Sequence, residues 1–444
     1  MQYYSLQNNQ HRVSFREAVI RGLAPDKGLY FPVEIPKLEK DFIERLDEYD
    51  PQYIARKVIQ PFVGNDIPVQ ALTQIIRETL TFPFPLREVE EQVYALELFH
   101  GPTLAFKDVG ARFMAGCLGY FRKDEEKPVT VLVATSGDTG GAVASGFYDV
   151  PGVEVVILYP SGKVSDLQEK QLTTLGRNIR ALEIKGTFDD CQRLVKMAFL
   201  DEELQARRPL TSANSINVAR WLPQMFYYFM ACRKVKQWKK DVVISVPSGN
   251  FGNICAGMMA AAMGLPIQHF IASTNVNDTV PRFMENGRYE PQPAVATLSN
   301  AMDVADPSNF VRIQQLFAQN DRALKASLSA YRFTDAQTVA AMEDVYARRR
   351  YLMDPHGAVG YLGLKEYMKK HPEYTGIFLE TAHPVKFANT MPASLRDAID
   401  APERVMILDG LQKEAVLMEA DYGKMRDWLL QTAGNHTPVA EHVK

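Results

Sequence analysis

The sequence predicts an α/β protein with mainly parallel sheets covered by helices on both faces. Between about residues 90 and 270, apolar runs at Val129–Ala134, Val153–Leu158, Ile179–Ile184 and Val242–Val246 alternate with helix-length amphipathic stretches. Parallel strands buried on both faces read as such continuous runs. Two of the runs lead into Ser-Gly-x-x-Gly and then into a helix of small residues, as βα loops do. A length of 444 residues suggests two or three domains at roughly 150 residues each.

Taken in order, residues 1–85 form an N-terminal domain without a reactive cluster. Ser14-Phe15-Arg16-Glu17 is a capping-box pattern opening a helix, with Phe15, Val19 and Leu23 on one face. Asp26-Lys27-Gly28 turns the chain into Leu29–Pro32, and helices follow around Phe42–Leu46, Tyr53–Gln60 and Val69–Leu80. Phe82-Pro83-Phe84-Pro85 forces an extended connector and marks the first boundary. Residues 86–400 form the α/β region. Its rhythm breaks at 274–335, which reads as an insertion or a return to the smaller domain, and helices resume near Thr334 and His356 before a strand at Gly376–Leu379. Residues 401–444 read as amphipathic helix with a polar tail.

The chemistry centres on His100-Gly101-Pro102-Thr103-Leu104-Ala105-Phe106-Lys107-Asp108, between a strand at Tyr94–Phe99 and a helical run from Phe113 to about Phe121. Lys107 stands at a loop-to-helix junction among apolar neighbours. Such an amine has a depressed pKa and serves as nucleophile, base or Schiff-base partner; the alternative is a surface lysine snorkelling at a helix start. The two loops are Thr135-Ser136-Gly137-Asp138-Thr139-Gly140 and Ser248-Gly249-Asn250-Phe251-Gly252. Backbone N–H groups beside their glycines, with a helix N-terminus, bind phosphate or carboxylate, although one such loop alone is also an ordinary βα turn. Between them, Asn214, Ser215 and Arg220 precede an aromatic helix over Trp221–Met230. They suit a phosphate or, in the plainer reading, a capped helix start. No G-x-G-x-x-G and no Walker lysine is present, which disfavours a dinucleotide or P-loop nucleotide site.

Composition narrows the class further. A net charge of −3 disfavours nucleic-acid and membrane-surface partners. Four scattered cysteines without metal-ligand spacing read as reduced thiols of a cytoplasmic protein, and no metal site is expected. The first dozen residues are polar, unlike a signal peptide, and no run reaches the ~18 apolar residues of a membrane span. No exposed apolar helix face demands a partner, so a monomer is expected.

His100–Asp108, Thr135–Gly140, Ser248–Gly252 and Thr381-Ala382-His383-Pro384 together resemble the threonine synthase family in its microbial and fungal form. Tyr30-Phe31-Pro32 and Ala301-Met302-Asp303 also fit, so the resemblance spans nearly the whole chain. It implies a tryptophan-synthase-β-like, fold-type II enzyme that uses pyridoxal 5′-phosphate. It implies that Lys107 holds the cofactor and then acts as base. Gly249, Asn250, Phe251, Gly252 and Asn253 would cradle the cofactor phosphate, and the Thr381 hydroxyl would meet the pyridine nitrogen and leave it largely unprotonated. Ser136, Gly137, Asp138 and Thr139 would bind the substrate carboxylate; Asn214, Ser215 and Arg220 would bind its phosphate. The implied substrate is O-phospho-L-homoserine, converted with water to L-threonine and phosphate. One departure stands out: Asn253 replaces the aspartate that usually follows Gly-Asn-Phe-Gly. The alternatives are a related phospho-lyase releasing an oxo acid, ammonia and phosphate, or a protein that binds the cofactor without catalysis.

Overall fold

The computed structural model describes residues 1–123, 125, 127–236 and 240–432. Three sheets organise them. β1 (Gln2–Ser5), β2 (Arg12–Ser14) and β3 (Tyr30–Pro32) form a small antiparallel sheet in the order β2-β1-β3. None of its strands exceeds four residues, too few to show a period of two in the sequence. β4 (Leu86–Glu90), β5 (Val93–Glu97), β10 (Val242–Pro247), β11 (His269–Thr274), β12 (Leu328–Arg332) and β13 (Thr375–Glu380) make a six-stranded sheet ordered β12-β11-β10-β13-β5-β4. All its pairings are parallel except β4 with β5. β6 (Val129–Ala134), β7 (Val153–Pro160), β8 (Ile179–Lys185), β9 (Leu210–Thr211) and β14 (Val416–Glu419) make a wholly parallel sheet ordered β14-β8-β7-β6-β9.

The four apolar runs became β6, β7, β8 and β10, as expected. β11 escaped notice because its buried face carries polar residues; Ser273 meets Ser245 of β10 at 2.9 Å between hydroxyl oxygens, so burial leaves that pair satisfied. The segment 274–335 leaves β11 through helices at Thr279–Asn286, Phe310–Leu316 and Asp321–Ser327 and returns as β12 beside β11. The C-terminal region is not purely helical: β14 adds to the five-stranded sheet beside β8, and the helix Tyr422–Gln431 buries Met425 and Leu429 against Leu194 and Ala198. The polar tail beyond residue 432 lies outside the described residues.

The first 85 residues share one core with the α/β region. Tyr3, Phe15 and Phe62 pack in the same cluster as Phe113, Phe226 and Ile244. The helix Phe15–Arg21 starts where expected, with the Glu17 N–H donating to the Ser14 hydroxyl at 3.2 Å. The aromatic helix begins later, at Met225, because Pro223 interrupts the turn that opens at Val218.

Arg312 joins these parts. Its fully buried guanidinium donates to the Tyr30 carbonyl (3.0 Å), the Ser215 and Ile216 carbonyls (3.0 and 2.6 Å) and Asn309 Oδ1 (2.7 Å). Its carbon centre lies 4.3 Å from the centroid of a Trp221 ring. Removing it strands buried carbonyls without donors. Arg312→Met is therefore expected to cost about 3 kcal/mol of stability, read as a lowered urea midpoint at unchanged slope. An unchanged midpoint would contradict this role.

Candidate active site

A cavity of about 680 Å³ opens where the carboxyl ends of the parallel strands of the two larger sheets meet. β6 delivers Thr135 and Ser136 to it, β10 delivers Ser248 to Phe251, and β13 delivers Thr381. The chain after β5 loops through residues 98–106 and places Lys107 as the first residue of a helix reaching Arg122. Convergence of strand carboxyl ends is the usual place for a ligand in such sheets.

Backbone bonds from three directions hold the Lys107 turn. The Phe106 N–H donates to the Thr381 carbonyl at 2.8 Å, the Tyr227 hydroxyl donates to the Phe106 carbonyl, and Arg220 Nη1 donates to the Lys107 carbonyl at 3.1 Å. Gly110 permits this approach, since a Cβ there would lie 2.6 Å from the Arg220 carbonyl oxygen. The Lys107 side chain is 19% exposed, its Nζ 4.0 Å from Asp138 Oδ2. Burial pushes its pKa below the ordinary lysine value; Asp138 opposes this, and the positive charges of Lys386 and Arg220 reinforce it. The surface-lysine alternative therefore fails.

The second loop lines the cavity with Ser248 to Gly252. Phe251 adopts a left-handed φ of 59°, turning the chain into the helix Gly252–Ala262 and presenting that helix's N-terminus to the cavity. Gly249 lies against the 300–304 loop, where a Cβ would sit 2.8 Å from the Met302 Cα. Asn253 Oδ1 accepts from the Tyr228 hydroxyl at 2.8 Å, while its Nδ2 is buried without a protein partner. Asparagine at this position thus offers the cavity a donor, as an anion requires. The Asn250 side chain is instead exposed and accepts from the Ser308 N–H and hydroxyl.

The remaining expected residues fall around the same cavity, except Gly137. At φ 137° it is turned against Gln168, where a Cβ would meet that amide at 2.4 Å. Ser136, Asp138 and Thr139 line the wall, but the Asp138 carboxylate is committed to Lys386 (2.9 Å) and Gln168 (2.9 Å). Burial would raise its pKa, yet Lys386 and Lys107 hold it well below the usual carboxylate range. Asn214, Ser215 and Arg220 form a separate polar corner. Asn214 Oδ1 and Arg220 Nε are buried without partners, and Asn309 Nδ2 donates both to Ser215 Oγ (3.0 Å) and to the Asn250 carbonyl (3.1 Å). Burial pushes Arg220 down to about 10, leaving it charged at neutral pH.

Sequence reasoning missed Lys386, Asn309 and His356, whose Nε2 accepts from the Ala301 N–H at 3.1 Å. The signal for Lys386 was its setting in the otherwise uncharged Pro384-Val385-Lys386-Phe387-Ala388.

These features fit pyridoxal 5′-phosphate: a largely buried lysine, a glycine loop at a helix N-terminus, and a buried Asn253 amide without a protein partner.

Comparison with known proteins agrees. Family profiles described as "Threonine synthase N terminus", "Pyridoxal-phosphate dependent enzyme" and "Threonine synthase, C-terminal" match residues 2–80, 72–378 and 357–428. The chain is 45% identical over 433 residues to threonine synthase from Haemophilus influenzae, covering 97% of this chain and 100% of that one. The crystal structure of threonine synthase from Escherichia coli superposes with a TM-score of 0.90 at 44% identity, covering 97% of this chain and 100% of that one. The pyridoxal-phosphate-bound threonine synthase from Brucella melitensis gives 0.91 at 34%, covering 98% and 100%. A tomato threonine deaminase shares the fold at a TM-score of 0.53 and 17% identity, over 78% of this chain and 90% of that one. With 45% identity over 97% of its length and matching profiles along it, the chain belongs to the threonine synthase family of pyridoxal-phosphate-dependent enzymes.

Proposed function

We propose that Lys107 and the two anion-binding corners around it convert O-phospho-L-homoserine and water into L-threonine and inorganic phosphate. One observation carries the reading. A single cavity is lined by a desolvated lysine and by two separate polar corners, one at Gly249–Asn253 and one at Asn214, Ser215 and Arg220. The cofactor phosphate and the substrate phosphate each need such a corner.

Pyridoxal 5′-phosphate, held through the Lys107 amine, supplies electron withdrawal that makes the substrate's Cα proton acidic. Gly249, Phe251, Gly252 and the Asn253 amide would hold its phosphate, and the Thr381 hydroxyl would hydrogen-bond its ring nitrogen. Ser136 and Thr139 hold the substrate carboxylate by their hydroxyls and the first-turn N–H groups of the helix Asp138–Phe147. Asn214, Ser215 and Arg220 hold the substrate phosphate and stabilise it as it leaves Cγ. Released from the cofactor, the Lys107 amine removes the Cα proton and then a Cβ proton. Water adds at Cβ, and proton return at Cα and Cγ completes threonine. One amine can serve these positions because its backbone is clamped while its side chain stays free. We also infer a cytoplasmic monomer that binds no nucleic acid, a reading supported by four buried unpaired thiols and a net charge of −3. Among the described residues, no helix is long and apolar enough to cross a membrane.

Product analysis tests the reaction: purified protein given pyridoxal phosphate and O-phospho-L-homoserine should yield threonine and phosphate in equal amounts. An oxo acid with ammonia in place of threonine would overturn it. Lys107→Ala should lose both the visible absorbance of lysine-held cofactor and all turnover; retention of either removes Lys107 from its role. Arg220→Ala should raise KM for the phosphorylated substrate about 10- to 100-fold with cofactor still bound. Loss of cofactor instead would mean that the two anion corners are exchanged. Gly249→Ala should weaken cofactor binding at least about tenfold in an equilibrium titration, because its Cβ displaces the Met302 backbone. Unaltered affinity would refute the cradle.

A further inference from the structure

We propose that Lys386 is a positioning residue for Lys107, holding the Asp138 carboxylate that would otherwise capture the Lys107 amine. The proposal rests on Lys107 being the lysine that holds the cofactor. Lys386 lies in the short turn Pro384–Phe387, five residues after Thr381, and its side chain is fully buried. Its Nζ meets three acceptors: Asp138 Oδ1 at 2.9 Å, the Thr103 carbonyl at 2.7 Å and Gln171 Oε1 at 3.0 Å. Three acceptors match the three N–H donors of an ammonium group. Gln168 Nε2 donates to the same Asp138 oxygen at 2.9 Å.

Asp138 therefore stands between two lysines but is bonded to one. Its other oxygen lies 4.0 Å from Lys107 Nζ, beyond hydrogen-bond reach. The charged groups facing Lys107 are Asp138 from the loop after β6, Lys386 from the loop after β13 and Arg220 from the turn before the aromatic helix. Asp108, its neighbour in the chain, is turned away to the Thr103 N–H and hydroxyl. With Lys386 in place, one carboxylate is matched by one ammonium, and the less-bonded Lys107 is the amine that gives up its proton. Without Lys386, Asp138 would face Lys107 alone in a poorly solvated site, where an unscreened opposite charge favours the ammonium form. A protonated Lys107 can neither attack a carbonyl nor accept a proton. The same pairing spares the substrate carboxylate a bare negative charge on the wall where Ser136 and Thr139 would hold it.

The test is capture of pyridoxal 5′-phosphate by the full-length chain freed of cofactor, followed by visible absorbance across pH. Borohydride trapping and peptide mapping identify the lysine. Capture requires neutral amine and so rises with pH through a midpoint. Lys386→Met should move that midpoint upward by about one pH unit and slow capture at neutral pH about tenfold. Asp138→Asn should move it downward, because Lys386 then repels Lys107 unopposed. The double variant, with neither charge, should return close to the wild-type midpoint. Unmoved midpoints, or single variants moving in the same direction, would overturn the proposal. So would a loss of capture amplitude at constant midpoint, which is the signature of a lysine that merely joins packed segments. If Lys386→Met fails to fold, Asp138→Asn against the double variant still decides, and equal midpoints in those two overturn it. Trapping at a lysine other than Lys107 in the wild type would instead overturn the reading beneath the proposal.

Discussion

An amine must be kept out of water to be reactive at neutral pH, and burying it removes the solvent that would accommodate its charge. That conflict governs the architecture around Lys107. The turn carrying it is fixed through its backbone by Thr381, Tyr227 and Arg220, each from a different element. Among the described residues, the amine itself makes no hydrogen bond; its nearest charge, Asp138, is occupied by Lys386. Clamping the main chain while freeing the side chain gives position without sacrificing nucleophilicity.

The same economy of charge runs through the rest of the cavity. Two carboxylates on its wall are hydrogen-bonded within the protein. Asp138 has Lys386 and Gln168, and Asp303 accepts from Thr297 and Asn275. Unpartnered groups include the donors that anions need, Asn253 Nδ2 and Arg220 Nε. Asn253 conforms to this pattern, because its oxygen accepts from Tyr228 while its amide is left without a protein partner. Asn309 and Arg312 tie the Asn214–Arg220 turn to the Gly249–Asn253 loop and to Tyr30, so these two sides of the cavity and the N-terminal sheet are set by one buried polar network. Such a network is stable only when all its members are satisfied, which ties the core of residues 1–85 to the geometry of the site.

Sequence by itself determined the elements whose physics is local. Continuous apolar runs specified β6, β7, β8 and β10, because strands covered on both faces need no polar alternation. The Ser14 capping pattern marked a helix start, a helix was expected near Thr334, and the two glycine loops marked strand-to-helix turns, because such a tight turn constrains backbone as much as side chain. The apolar company of Lys107 announced a largely buried lysine, whose pKa burial lowers. Tertiary structure decided everything that depends on partners distant in the chain. The antiparallel sheet of β1, β2 and β3 has strands too short to carry a pattern, and β14 joins β8 across more than 200 residues. Lys386 meets Asp138 and Thr103 only because loops from different sheets converge there; in sequence it is one lysine after a proline. Periodicity records which face of an element is dry, but it cannot record which charge will stand opposite another once two sheets meet.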